Sequence, residues 1–159
     1  MVDLNNLEEI RKFDKSNMLG SIDAFPKQCQ QAWEETQKLT IPQDYANVRQ
    51  IVVSGMGGSG LGGHIIKSLY QKELPIPLEI VNDYHLPGYV DEDSLVILSS
   101  YFGSTEETLA TTSEAKTKGA KILGITTGGK LGEFLKENNL PGYIFAPKFN
   151  PCGQPRIGL

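Results

Sequence analysis

The stretch from Ile51 to Gly63 constrains this chain more than any other. Ile51-Val52-Val53 is an unbroken apolar run. It leads through Ser54 into Gly55, Gly57, Gly58, Gly60, Gly62 and Gly63, with Ser59 among them. The pattern predicts a buried strand, a glycine-rich turn and a helix. Small residues let a ligand approach the backbone, successive N–H groups point one way, and the helix N-terminus carries partial positive charge. Such a turn suits a phosphate.

The segments on either side repeat this plan. Val48 to Ser54 reads as the first strand, and the helix after the glycines runs from about Ser59 to Gln71. Leu78 to Asn82 is a short second strand, followed by a loop with Pro87-Gly88 as a turn signal. Ser94 to Ser100 is a third strand ending in hydroxyls. Ser104 with Glu107 three residues later predicts a capping box, opening a helix that Gly119 closes near Lys118. Lys121 to Thr126, a helix from Lys130 to Asn138, and Tyr143 to Ala146 complete the alternation. Alternating strands and helices predict an α/β fold, a parallel sheet with helices on both faces, because parallel strands need crossovers.

Residues 1–40 carry helical stripes instead. Leu4, Leu7, Ile10 and Phe13 predict a helix that covers the core. Met18, Leu19, Ile22, Phe25, Cys29, Ala32, Trp33 and Thr36 form a second stripe, which Pro26 interrupts. A proline is tolerated in a first turn but not in a helix interior. The stripe therefore predicts a short helix ending near Ala24 and another starting at Pro26, with Trp33 in the core. Residues 45–159 are expected to form the main domain.

With 159 residues, the chain can bury a sizeable core. Its net charge of −4 leaves no electrostatic footprint for nucleic acid. No apolar stretch approaches the roughly 20 residues of a membrane span, and the N-terminus lacks a basic region followed by an apolar one. Cys29 and Cys152 read as free thiols of a cytoplasmic protein.

Ligands of open α/β sheets bind beyond the carboxyl ends of the strands. One such end offers Gly57, Gly58 and Ser59; another offers Ser99, Ser100, Ser104 and Thr105. If their strands are neighbours, both loops face one crevice. Backbone amides and hydroxyls, with no metal or cofactor required, suit the phosphomonoester of a sugar. A dinucleotide is the competing ligand, since Gly55, Gly57 and Gly60 satisfy the G-x-G-x-x-G spacing with Asp83 further on. A P-loop fails, because Gly62-Gly63-His64 follows the glycines where Gly-Lys-Ser is needed. Helix–strand packing without a ligand also explains a glycine turn. His64 and His85 show no acidic partner in a strand-end loop. Glu106 and Glu107 suit helix capping and the dipole, and would repel a phosphate unless they point away.

Four motifs in order carry a family resemblance: Gly55-Met56-Gly57-Gly58-Ser59-Gly60-Leu61-Gly62-Gly63; Ser100-Tyr101-Phe102-Gly103-Ser104-Thr105-Glu106-Glu107-Thr108-Leu109; Thr126-Thr127-Gly128-Gly129-Lys130-Leu131; and Gln154-Pro155-Arg156. The chain resembles the bifunctional phosphoglucose/phosphomannose isomerases of the sugar isomerase (SIS) domain superfamily. The resemblance implies a five-stranded parallel sheet in a three-layer α/β/α arrangement. It also implies interconversion of glucose 6-phosphate or mannose 6-phosphate with fructose 6-phosphate. The sugar ring opens and a proton moves between C1 and C2 through a cis-enediol, without a metal. Gly57, Gly58, Ser59, Ser100 and Thr105 would hold phosphate and substrate, and Arg156 would stabilise the enediolate.

Two departures qualify the resemblance. Where the family's second loop usually reads Ser-Tyr-Ser-Gly-Asn-Thr, Phe102 and Ser104 replace its second serine and its asparagine. Phe102 cannot donate to phosphate, so one contact is lost unless Ser104 replaces it; a donor to a charged oxygen contributes about 1.5–3 kcal/mol. Family members also carry a second SIS domain, which supplies a glutamate base and a ring-opening histidine, the latter across a dimer. The chain is therefore expected to be the phosphate-binding half of an isomerase, working as a homodimer or with a complementing second SIS domain. The alternative is a non-catalytic SIS module that binds sugar phosphate as a sensor or regulatory subunit.

Overall fold

The computed structural model of the chain describes residues 3–148. The N-terminal stripes form α1 (Leu7–Phe13), α2 (Met18–Asp23) and α3 (Phe25–Thr36). Asn6 caps α1 by accepting from the Glu8 and Glu9 amides. The break between α2 and α3 falls at Ala24, with Pro26 in the first turn of α3, as its fixed φ requires. The alternating part gives β1 (Gln50–Ser54), α4 (Gly58–Tyr70), β2 (Leu78–Val81), β3 (Ser94–Ser99), α5 (Glu106–Thr117), β4 (Lys121–Thr126), α6 (Gly129–Glu137) and β5 (Gly142–Ile144). Among the described residues the strands form one parallel sheet in the order β2-β1-β3-β4-β5. The α/β expectation holds.

This order contains a topological switch point between β1 and β3, where the chain leaves β1 toward β2 on one side and later returns to pair on the other. The pair runs in register from Gln50↔Ser94 to Ser54↔Leu98. The loops after both strands therefore emerge side by side.

The two sheet faces are covered unequally. On one face Val52, Val96, Leu98 and Ile122 pack against Ala115, Leu131 and Leu135 of α5 and α6, all nearly inaccessible to water. On the other, Tyr143 and Phe145 pack with Ala32 of α3. Ile51, Leu95, Ile97, Leu123 and Ile125 remain only half-buried. Within β1, Val52 and Val53 point to opposite faces and are both buried, so the centre of the strand is covered on both sides as its composition predicts, while Ile51 stays half-buried.

Two expectations for the N-terminal helices need correction. Trp33 is 69% exposed, and α1 buries no residue. The inward face of α3 is set by Gln28 and Ala32, one turn apart, with Glu35 reaching the sheet. Trp33 lies about 100° around the helix from Ala32 and so points outward. Gln28 tolerates full burial on its donor side because its Nε2 donates to the Ser21 carbonyl at 2.7 Å.

The Tyr143 hydroxyl donates to Glu35 at 2.5 Å and joins α3 to β5. That bond, ahead of weaker contributions from neighbouring side chains, holds the Glu35 carboxyl below its ordinary range. Burial and the Glu35 charge push the Tyr143 phenol up. Tyr143→Phe is expected to destabilise the chain by about 1–2 kcal/mol at pH 7. Because the Glu35 pKa is depressed on folding, this contribution is present above the unfolded value of 4.5 and is lost as pH falls through the folded value. Urea melts at pH 7, 4 and 3 should show the two proteins converging at the acid end. A gap that stays constant would contradict the pairing.

Candidate functional site: a crevice between two strand-end loops

The first loop leaves β1 at Gly55. Its turn is completed by Gly57, at φ 52° and ψ −123°, which caps α4. The glycines divide into two sets. A Cβ on Gly60 would lie 2.8 Å from the Gly55 carbonyl oxygen, and one on Gly63 would press on Ile80 and Val53 at 3.1–3.3 Å. These positions bring α4 close to β1 and β2. A Cβ on Gly57 would meet nothing within 4 Å. Packing therefore accounts for Gly60 and Gly63 but not for the exposed turn at the helix mouth, where Gly57 and Gly58 present their backbone to solvent. The Asn82 side-chain amide, at the end of β2, donates to the Gly55 carbonyl and pins the start of the turn.

The second loop leaves β3 at Ser99. Ser100 is buried, and its hydroxyl lies 2.8 Å from that of Thr105. Thr105, not Ser104, is the N-cap of α5, and its hydroxyl makes no capping bond because it faces Ser100. The N-cap is thus one residue later than predicted, the expected capping box does not form, and Ser104 is exposed on the loop. The two loops touch: the Tyr101 amide donates to Ser59 Oγ at 3.3 Å, and a Cβ on Gly55 would lie 2.9 Å from the Ser99 carbonyl. Ser59, Ser100 and Thr105 are brought together as expected, with Gly57 and Gly58 at the same mouth. Phe102 is 63% exposed, its ring edge-on to Tyr101 at 4.9 Å. Arg156 and Cys152 lie outside the described residues.

A third loop, after β4, holds the second in place. The Thr127 amide and hydroxyl both donate to the Tyr101 carbonyl, at 2.9 and 2.7 Å. The Leu131 amide donates to the Gly103 carbonyl at 3.0 Å. Gly103, at φ 65°, sits so close that an added Cβ would fall 1.8 Å from the Gly128 carbonyl oxygen. From the sequence Thr127-Gly128-Gly129 shows only as a turn between β4 and α6 and as part of a family motif, and its hold on the second loop is not visible there. The adjacent glycines after a strand were the available signal.

Charge at the rim is negative but directed. Tyr84 donates to Glu106 at 3.4 Å, so that carboxylate is turned toward the loop after β2. The charge of Glu107, then desolvation and Glu106, push the Tyr84 phenol up. His85, itself exposed, does have an acidic neighbour, the half-buried Glu114 of α5 at 3.7 Å. The Asp83 carboxylate accepts from the Tyr84 amide at 2.6 Å and serves its own loop, which weakens the dinucleotide reading. On the α4 side, Ser59 and Ser99 also line a cleft of about 200 Å³ whose other walls, among them Val53, Ile66, Ile97 and Ile125, are apolar. No helix among the described residues is long and apolar enough to cross a membrane.

The chain is 42% identical over 143 residues to a bifunctional phosphoglucose/phosphomannose isomerase of Caldicellulosiruptor bescii, covering 89% of this chain and 41% of that protein. It is 39% identical over 116 residues to the same-named protein of Thermoplasma acidophilum, covering 67% and 36%. The chain thus spans about two fifths of the length of these relatives. Among solved structures, the NanR protein of Vibrio vulnificus complexed with ManNAc-6P superposes with a TM-score of 0.60 at 16% identity, over 86% of this chain and 56% of that one. The fold is shared at that level. The SIS domain model matches residues 44–132, more than half of the chain, and takes in all three loops of the crevice; the chain belongs to the SIS domain family.

Proposed function

We propose that the crevice between the β1 and β3 loops holds the phosphate of a sugar phosphate, and that the chain supplies the phosphate-binding half of an aldose–ketose isomerase. The observation that carries this reading is the convergence of an exposed glycine turn at a helix mouth with the Ser59, Ser100 and Thr105 hydroxyls. Gly57, Gly58 and Ser59 bind from one side; Ser100, Thr105 and Ser104 bind from the other. Helix N-termini and fixed donors stabilise a phosphate without needing to reorganise.

The reaction assigned to the whole protein interconverts glucose 6-phosphate or mannose 6-phosphate with fructose 6-phosphate. A base removes a proton from one of C1 and C2, the cis-enediolate forms, and a proton returns at the other carbon. Arg156 is proposed to stabilise the enediolate oxygen, where a fixed guanidinium acts as charge develops. The base and the ring-opening acid come from a complementing second SIS domain, or from a partner copy. Residues 45–159 constitute the SIS domain on this reading.

The test is calorimetric titration with fructose 6-phosphate alongside a coupled isomerase assay on the same sample. Binding with turnover below that of a complemented protein supports the half-site reading. Binding that no complementing domain converts into turnover supports a regulatory module. Absence of binding contradicts both.

A further inference from the structure

α5 packs on the sheet with an unusual face. Its buried residues are Thr108, Thr111, Thr112 and Ala115, where a helix on a parallel sheet ordinarily presents aliphatic side chains. The Thr111 and Thr112 hydroxyls both donate to the Thr108 carbonyl, at 3.0 and 2.7 Å. Thr111 also meets Ser54, Oγ1 to Oγ, at 2.7 Å, with both residues at most 1% exposed. Either hydroxyl can donate in this pair; the arrangement in which Ser54 donates to Thr111 leaves the Thr111 hydrogen for the Thr108 carbonyl and satisfies both groups.

Those two residues occupy particular places. Ser54 is the last residue of β1, next to Gly55, where the first loop begins. Thr111 lies on the helix that Thr105 opens, at the end of the second loop. We infer that the Ser54–Thr111 hydrogen bond is a positioning device that sets the spacing of the two anion-binding loops. This rests on the phosphate site proposed above. A phosphate that bridges two loops needs them at one separation, and a small misplacement of donors is costly in binding. The Tyr101–Ser59 contact joins the same loops nearer the mouth, so the pair beneath it makes the linkage two-point. A valine at 111 would pack in the same volume but leave the Ser54 hydroxyl buried without its acceptor, which favours a shift of β1 against α5.

Thr108 provides the control. It is fully buried on the same helix face, and its hydroxyl is without a partner among the described residues. Thr108→Val removes a hydroxyl from that face and leaves the Ser54 linkage intact. The experiment titrates the 159-residue chain and its variants with fructose 6-phosphate and with inorganic phosphate at 25 °C, and records melting in parallel. Thr111→Val is expected to weaken both ligands on the order of tenfold, with Thr111→Ser restoring them to within about twofold. Adding Ser54→Ala to Thr111→Val should cause little further loss of affinity, because both act through one bond. A merely structural role predicts lower melting for Thr111→Val with affinity unchanged; that result overturns the inference, as does equal weakening by Thr108→Val. If the unsubstituted chain binds neither ligand, the phosphate site itself is refuted and the inference falls with it.

Discussion

Gly103→Ala is expected to destabilise the chain by about 3–5 kcal/mol, combining the cost of a left-handed backbone with that of overpacking. The position is constrained twice. Its φ of 65° is unfavourable for any residue with a Cβ. The Cβ itself would fall 1.8 Å from the Gly128 carbonyl oxygen and 2.8 Å from Thr126 Oγ1. The nearest atom belongs to the backbone, so no rotamer change relieves the contact. The second and third loops would have to separate, breaking the Leu131–Gly103 hydrogen bond and disturbing those from Thr127 to Tyr101. Melting should fall by roughly 10–15 °C for a domain of this size. Gly57→Ala isolates the conformational part, because it strains φ 52° with open space around the new methyl. It should cost only about 1–2 kcal/mol. Equal costs at the two positions would show that the contact between the loops is not the constraint.

Ser100→Ala combined with Thr105→Val is expected to weaken fructose 6-phosphate binding by two orders of magnitude or more, since each donor to a charged oxygen contributes about 1.5–3 kcal/mol. The two hydroxyls lie 2.8 Å apart and hold each other. A phosphate would replace that mutual bond with two bonds to charged oxygens. Either single substitution should therefore cost roughly ten- to a hundredfold. Removing both replaces the pair with apolar groups and leaves no orphaned partner, so stability should change little. Titration and melting on the same samples separate the effects. A double variant that keeps its affinity would remove the second loop from the site.

Much of this arrangement is legible in the residues, for identifiable reasons. Strand–helix alternation over 48–146 reflects apolar runs bounded by glycine and proline, and these punctuate the chain whatever its topology. The adjacency of β1 and β3 is not local information; it becomes visible only in the strand order. Ser104 and Glu107 match a capping pattern, yet Thr105 holds the cap position with its hydroxyl turned to Ser100 rather than to the helix amides, a long-range preference that local spacing does not contain. Trp33 fits a helical stripe, but the stripe is broad, and the polar Gln28 and Glu35 mark the inward face that hydrophobic spacing cannot find. The threonine face of α5 is invisible to periodicity for the same reason. Two of its three buried threonines, Thr111 and Thr112, bury their hydroxyls against the helix's own Thr108 carbonyl, and Thr111 also against Ser54.

The central claim concerns where a phosphate sits. Amide chemical-shift mapping of the chain during titration with fructose 6-phosphate, repeated with inorganic phosphate and with fructose, tests it most directly. The account predicts saturable shifts clustered at Gly57, Gly58, Ser59, Ser100 and Thr105, shared by the two phosphate ligands and absent with fructose. Shifts centred on Asp83, His64 or His85, or a response to fructose equal to that of its phosphate, would contradict it.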